Sequence, residues 1–324
     1  LSPPESLGGL MGGIVVCAYS DVGYKCLKTL FDAGESVRLV YTHDDVPGEE
    51  RWFDSVAELA REHGVEPRRV EDLGDPADEE RIRAVQPDFL FSFYFRKMIP
   101  GRILSLARRG ALNMHGSLLP LFRGRSPVNW AILKGATETG ASLHYMTEKP
   151  DAGDLVDQER VPIGPEDDAL AVSRRVSDAA AVVLARALPR LKAGDAPRTP
   201  LDLSKGSYFG GRKPEDGGID WSQSAKEIHD LVRAVSKPWP GAFTDVFGKK
   251  VTVWKTRLSP HGGHDVFPGK VELTERSVIV FAGDDQTLEI LAARPEGGKD
   301  LDAAGFRDWL VRPSGIFPRL KGEP

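Results

Sequence analysis

Asn113 and His115 stand one residue apart where a short apolar run, GALNM, gives way to a loop rich in Gly, Pro and Arg, HGSLLPLFRGRSP. In extended backbone, residues i and i+2 point to the same side. An amide and an imidazole therefore share one side of a strand end, and a core strand gains nothing from that pair. Further on, EKPDAGDLV carries Asp151 in a Pro-Asp-Ala-Gly turn. An amide, an imidazole and a carboxylate together suit transfer of an acyl group to an amine. As the amine attacks, the carbonyl oxygen becomes negative and an amide N–H₂ can donate to it; one such donor is worth ~3–4 kcal/mol. The amine also sheds a proton, which a neutral imidazole accepts at near-neutral pH. A carboxylate beside the ring favours its protonated form. Ser117 has no G-x-S-x-G context, so direct transfer is expected rather than an acyl-enzyme.

Taken singly, these residues have ordinary explanations. Asn113 suits a turn, His115 a satisfied core position, and Asp151 a turn cap. Their combination within this loop context points to catalysis. His144, mid-strand in ASLHYM, reads as structural, as do His43, His63, His229, His261 and His264. Arg123 and Arg125, in a Gly-Pro loop, read either as solvated or as functional cations.

The elements that must position these groups follow from hydrophobic patterning. GGIVVCAY, SVRLVYT, PDFLFSFYF and GALNM read as strands, short and bounded by glycine or proline. Helices alternate with them: 21–34, with Asp21 as cap and Gly34 as stop, then 51–64, 76–86 opened by Pro76, and 100–108. The alternation predicts a mostly parallel sheet with helices on both faces, a Rossmann-like arrangement. Ligands bind such sheets beyond the C-terminal strand ends, where Asn113 and His115 fall. ASLHYM and LVDQERVPI are two further strands expected to pair at the sheet edge. A long helix over 167–194 follows, with Val172, Val176, Ala180, Val183, Ala187 and Leu191 at helical spacing. The Pro-rich DAPRTPLDLSKGS marks the boundary between an 11–200 domain and a 201–324 domain. The latter reads as one helix, 224–236, followed by short β segments, a small β-barrel or sandwich with a hairpin at Phe247-Gly248.

Composition narrows the function classes. The 324 residues are 40% hydrophobic and 28% charged, with a net charge of −5, as in an ordinary soluble globular protein. The stretch after residue 200 holds equal numbers of acidic and basic residues. Neither half is a polybasic module for nucleic acid or an anionic membrane. Cys17 and Cys26 are too few for a disulfide framework or a structural zinc site, so core thiols in a reduced cytoplasm, and no metal, are expected. Met11 is a candidate start, and the preceding residues read as no secretory signal.

The segment NMHGSLLPLFRGRSPVNWAILKGATETGASLHYMTEKPDAGDLV resembles the core of the 10-formyltetrahydrofolate-dependent N-formyltransferases. The flanking segments THDDVPGEE, FSFYFRKMI, FGGRKPED, VRAVSKPWPGAF and VTVWKTR are most similar, within that family, to the formyltransferase domain of bifunctional polymyxin-resistance proteins. Those proteins formylate UDP-4-amino-4-deoxy-L-arabinose, a step in lipid A modification. The resemblance implies a Rossmann-like catalytic domain and an OB-like C-terminal barrel. It implies that Asn113 stabilises the oxyanion, His115 handles the proton and Asp151 tunes the histidine. It further implies folate contacts at Lys97, Met98 and Ile99, at Arg125, and at Thr147, Glu148, Lys149 and Pro150. Tyr208, Phe209 and Arg212 are candidates to stack and orient a nucleotide, or else pack an interface. No G-x-G-x-x-G follows a strand, so formylation without hydride chemistry is expected.

The expected acceptor is a nucleotide-linked amino sugar. Methionyl-tRNA is the alternative within the family. A tRNA enzyme needs basic surface, whereas the loop after the second strand, THDDVPGEERW, is acidic and the second domain neutral. A siderophore or antibiotic amine stays open, as does hydrolysis without an acceptor, and the sequence leaves open whether the chain forms a homo-oligomer.

Overall fold

The computed structural model describes residues 12–45, 51–262 and 266–311. Within them the chain divides into two compact units. The first comprises residues up to 127, 138–162 and 173–210; the second comprises 128–137, 163–172 and the chain from 211 on. The 46–50 part of the acidic loop and both chain ends lie outside the described residues.

The first unit is built on strands β1 (Ile14–Ala18), β2 (Val37–Thr42), β3 (Arg68–Arg69), β4 (Phe89–Phe93) and β5 (Gly110–His115), a two-residue β6 (Arg123–Gly124), then β7 (Glu138–Tyr145) and β8 (Leu155–Pro162). Seven of them form one sheet in the order β3-β2-β1-β4-β5-β7-β8. The first five strands of that order run parallel, and β7 and β8 are antiparallel. Every residue of β1 and β4 is buried, as central parallel strands covered on both faces must be. The expected mostly parallel sheet is present, and the two strands expected to pair at its edge do so, in antiparallel sense.

Helices α1 (Ser20–Asp32), α2 (Val56–Glu62), α3 (Pro76–Val85) and α4 (Gly101–Leu104) connect the parallel strands. The Ser55 hydroxyl accepts from the Glu58 N–H and starts α2, so residues 51–55 are not helical. Asp75 caps α3, with Pro76 just inside. Asp21 is not the cap of α1: the cap position is Tyr19, and Asp21 sits within the first turn, 3.3 Å from Lys25. Ser20, at φ 65, turns the chain directly from β1 into the helix and leaves no residue free to act as a side-chain cap. A short helix that the loop composition conceals, α5 (Pro127–Leu133), follows β6. The long α6 (Ala169–Ala193) closes with its Val176, Ala180, Val183, Ala187 and Leu191 stripe buried, as the spacing predicts. Another two-residue strand, β9 (Tyr208–Phe209), pairs in parallel with β6.

The second unit contains α7 (Ala225–Val235), strands β10 (Ala242–Val246), β11 (Lys249–Gly262), β12 (Val271–Leu273), β13 (Val278–Phe281), β14 (Gln286–Pro295) and β15 (Leu301–Asp302), and α8 (Ala303–Leu310). Ser224 and Glu227 form a reciprocal capping box at the start of α7. The strands make an antiparallel sheet in the order β10-β11-β14-β13-β12, with β15 on β14. Phe247 and Gly248, both at positive φ, make the tight turn between β10 and β11. No helix among the described residues is long and apolar enough to cross a membrane.

Candidate active site

Strand pairing places the polar groups before any loop does. Asn113 and His115 lie on one face of β5, and in the antiparallel register Asn113 faces His144 of β7. Paired residues share a face, so His144 joins the same side. Asp151 reaches it from the turn between β7 and β8, with its backbone left-handed at φ 47.

The result is a cluster centred on one carboxylate oxygen. Asp151 Oδ1 lies 3.4 Å from Asn113 Nδ2, 3.5 Å from His115 Nδ1 and 3.5 Å from His144 Nε2. The Gly124 N–H donates to the other oxygen at 2.8 Å. His115 Nε2 is 2.9 Å from the Phe122 carbonyl. A carbonyl only accepts, so Nε2 carries the proton and Nδ1 of the neutral ring is the free base. By the same reasoning His144 Nδ1 donates to the Tyr145 carbonyl at 2.8 Å, and its Nε2 accepts from Asn113 Nδ2 at 3.1 Å. That fixes the amide orientation. With its oxygen there instead, Asn113 would confront a lone pair and a carboxylate.

Electrostatics follow from burial and contact. His115 is 5% exposed, and desolvation lowers its pKa; Asp151 and the Phe122 carbonyl oppose this, His144 reinforces it, and the net shift is downward. Burial pushes the Asp151 carboxyl up, but the neighbouring His115 and His144 rings and the Gly124 N–H outweigh burial and bring it to about 2. At neutral pH the site therefore holds an ionised Asp151 beside an uncharged His115.

Backbone strain concentrates here. Tyr94, Phe122, Ser126 and Asp151 are non-glycine residues with φ between 47 and 57, and such strain persists where surrounding structure enforces it. Gly124 takes φ 97 with a Cβ position only 2.1 Å from the Phe209 carbonyl, so only glycine can aim this N–H at Asp151. At Gly116 a Cβ would lie 1.7 Å from the Tyr94 hydroxyl. Burial, with Cys26 and Asp151 adding to it, pushes that phenol above its ordinary range and keeps it a proton donor.

The other sequence-predicted residues fall into three groups. Ile99 is buried, Met98 is 59% exposed, and Lys97 reaches Glu71 at 3.3 Å. Arg125 donates at 3.4 Å to the carbonyl of Arg96, next to this segment. Glu148 approaches Gly101, just beyond it, while the Thr147 hydroxyl donates to the Lys149 carbonyl at 2.9 Å and Pro150 leads into Asp151. The three stretches implied for folate thus converge. Tyr208 and Phe209 pair with Arg123 and Gly124, and Phe209 stacks on Phe122 with centroids 5.8 Å apart. Arg212 belongs to the second unit, where it lies 5.0 Å from the Trp130 ring and donates to the Asp216 carbonyl. His144, which reads from sequence as structural, joins the cluster, and Tyr94 carries no signal in the sequence. The cross-strand register that recruits His144 is not encoded within ASLHYM itself. A separate hollow at the C-terminal ends of β1 and β2, lined by Tyr19, Ser20, Thr42 and His43, contains none of the trio.

Residues 20–188 match the formyl transferase family, and residues 212–308 match the formyl transferase C-terminal domain. The chain belongs to the formyl transferase family. Its fold is also that of several solved relatives. One is an N-formyltransferase from Helicobacter canadensis in complex with folinic acid and dTDP-3-aminofucose, at TM-score 0.68 and 17% identity over 86% of this chain and 99% of that one. A 4-N formyltransferase from Francisella tularensis gives 0.61 and 20% over 76% and 97%. HypX from Aquifex aeolicus, in complex with tetrahydrofolic acid, gives 0.60 and 21% over 90% of this chain and 46% of that one. At these identities the likeness to the solved structures is one of fold.

Proposed function

We propose that the chain is a sugar-nucleotide N-formyltransferase that moves a formyl group from 10-formyltetrahydrofolate to the amine of a nucleotide-linked amino sugar, with UDP-4-amino-4-deoxy-L-arabinose the first candidate and lipid A modification its setting. The observation that carries the reading is the approach of Asn113 and His115 to one oxygen of Asp151, at 3.4 and 3.5 Å, in a formyl transferase fold. Asn113 donates to the formyl oxygen as it becomes negative. The 3.4 Å contact to Asp151 is the weaker of its two bonds and the one to yield. The amine nitrogen bonds to the formyl carbon and loses a proton to His115 Nδ1, where the new charge faces Asp151. The carbon–N10 bond then breaks, the proton returns to N10, and formamide and tetrahydrofolate leave.

On this reading residues 11–200 form the catalytic domain and the antiparallel sheet within 201–324 an OB-like one. Lys97, Met98, Ile99, Arg125, Thr147, Glu148, Lys149 and Pro150 hold the folate; Tyr208, Phe209 and Arg212 hold the nucleotide. Two free, buried cysteines support a cytoplasmic setting. The test is a panel of UDP- and dTDP-linked amino sugars incubated with 10-formyltetrahydrofolate and scored by mass for one added formyl group. Transfer to one panel member supports the reading. Formate release without an acceptor, or transfer only to methionyl-tRNA, overturns it.

A further inference from the structure

Two arginines are almost equally buried, and among the described residues the guanidinium of only one has hydrogen-bond partners. Arg233, 7% exposed, donates to Asp230 at 2.9 Å and to the carbonyls of Gly164 and Asp167 at 3.2 and 3.0 Å. Arg123, 8% exposed, has no hydrogen bond and no ion pair from its guanidinium among the described residues, and its Nε is sealed from solvent without an acceptor. Its central carbon lies 5.9 Å from the centroid of the Tyr208 ring. A buried guanidinium lacking an acceptor is costly, and folds retain such a group where something else completes it.

Its position says what that is. Arg123 lies between Phe122, whose carbonyl holds His115, and Gly124, whose N–H holds Asp151. It is thus one residue removed from both supports of the site. Beside it Tyr208 exposes 57% of its surface, an aromatic face next to a cation. The stretches assigned to folate gather instead around Arg96 and Gly101.

We propose that Arg123 is an anion anchor for the acceptor, taking a phosphate of the sugar nucleotide on its guanidinium while the Tyr208 ring offers a face to the base or sugar. This rests on the sugar-nucleotide reading above. It adds a residue that fixes the acceptor by charge and ties that contact, through the backbone on either side, to the base and its carboxylate.

The test is calorimetric titration of the intact protein with UDP, dTDP, inorganic pyrophosphate and 5-formyltetrahydrofolate, with no turnover required. Arg123→Met should weaken nucleotide and pyrophosphate binding about 10- to 100-fold, the loss of a charge-assisted contact, and leave folate binding unchanged. Arg123→Lys should fall between the two, since it keeps the charge and loses the fork. Without ligand, Arg123→Met should melt no lower than the parent, because an unpaired buried charge has been removed. Pyrophosphate should raise the melting temperature of the parent but not of the Met variant. Unchanged nucleotide binding, a loss confined to folate, or a clear fall in melting temperature of the ligand-free Met variant would each overturn the proposal. If Arg123→Met does not fold, parent-like pyrophosphate binding by Arg123→Lys would overturn it as well. Failure of the formylation panel with anion binding intact would count against the acceptor assignment and not against Arg123.

Discussion

Each unit buries a polar network around a histidine, and the two networks are finished to different degrees. In the second unit His229 uses both ring nitrogens, accepting from the Thr256 hydroxyl at 2.9 Å and donating to the Pro165 carbonyl at 3.1 Å. Arg233 and Asp230 beside it on α7 are likewise paired. In the first unit His115 makes one good bond, to Phe122, and its Nδ1 stands 3.5 Å from Asp151. Asn113 shares a long contact with the same carboxylate, and Arg123 Nε has no acceptor among the described residues. A completed network locks packing; one left open keeps donors and a base ready for a reactant. The contrast separates histidines that hold the fold from the one offered to chemistry, although both are about equally buried.

The contrast breaks most visibly under substitution. His115→Ala should lower kcat about 10²–10⁴-fold, the usual contribution of a positioned base, with a melting temperature near the parent's. Steady-state kinetics and calorimetry on one preparation check both. Asn113→Ala should lower kcat/KM about 10²–10³-fold through loss of the oxyanion donor. His229→Ala should do the reverse. It strands the Thr256 hydroxyl and the Pro165 carbonyl and should cost about 1–3 kcal/mol of stability, with the rate per folded molecule close to the parent's. Denaturant titration beside the transfer assay would sharpen or abolish the distinction.

The smallest expected effect is a titration. Burial lowers His115, so its ring should titrate below the ordinary histidine value of 6.5, and turnover should rise with pH through that point as the neutral base forms. Asp151 raises this pKa in the parent. Asp151→Asn should therefore move the His115 ring resonance, followed by NMR, to a still lower midpoint. A midpoint moving upward would show that the carboxylate does not face the ring.

Much of this arrangement was legible in the sequence because it depends on local rules. β-branched runs bounded by glycine marked the buried strands. The i, i+2 spacing put Asn113 and His115 on one face, and the Pro-Asp-Ala-Gly turn flagged Asp151. What escaped reading depends on partners distant in sequence. His144 is recruited by the register of β7 against β5. The parallel pairing of β6 with β9 joins Arg123 to Tyr208 across a long stretch of chain, and neither two-residue strand carries a pattern of its own. Helix α5 was hidden because it begins at a proline in a loop-like composition. The left-handed Phe122 and Tyr94 are set by packing at the sheet end and not by residue type.

Asp151 touches every member of the cluster, so the most direct measurement is single-turnover formyl transfer by Asp151→Asn, which preserves side-chain shape and tolerates the left-handed backbone. The account expects a loss of at least about 100-fold with an unchanged melting curve. A parent-like rate in a folded Asp151→Asn protein would contradict it.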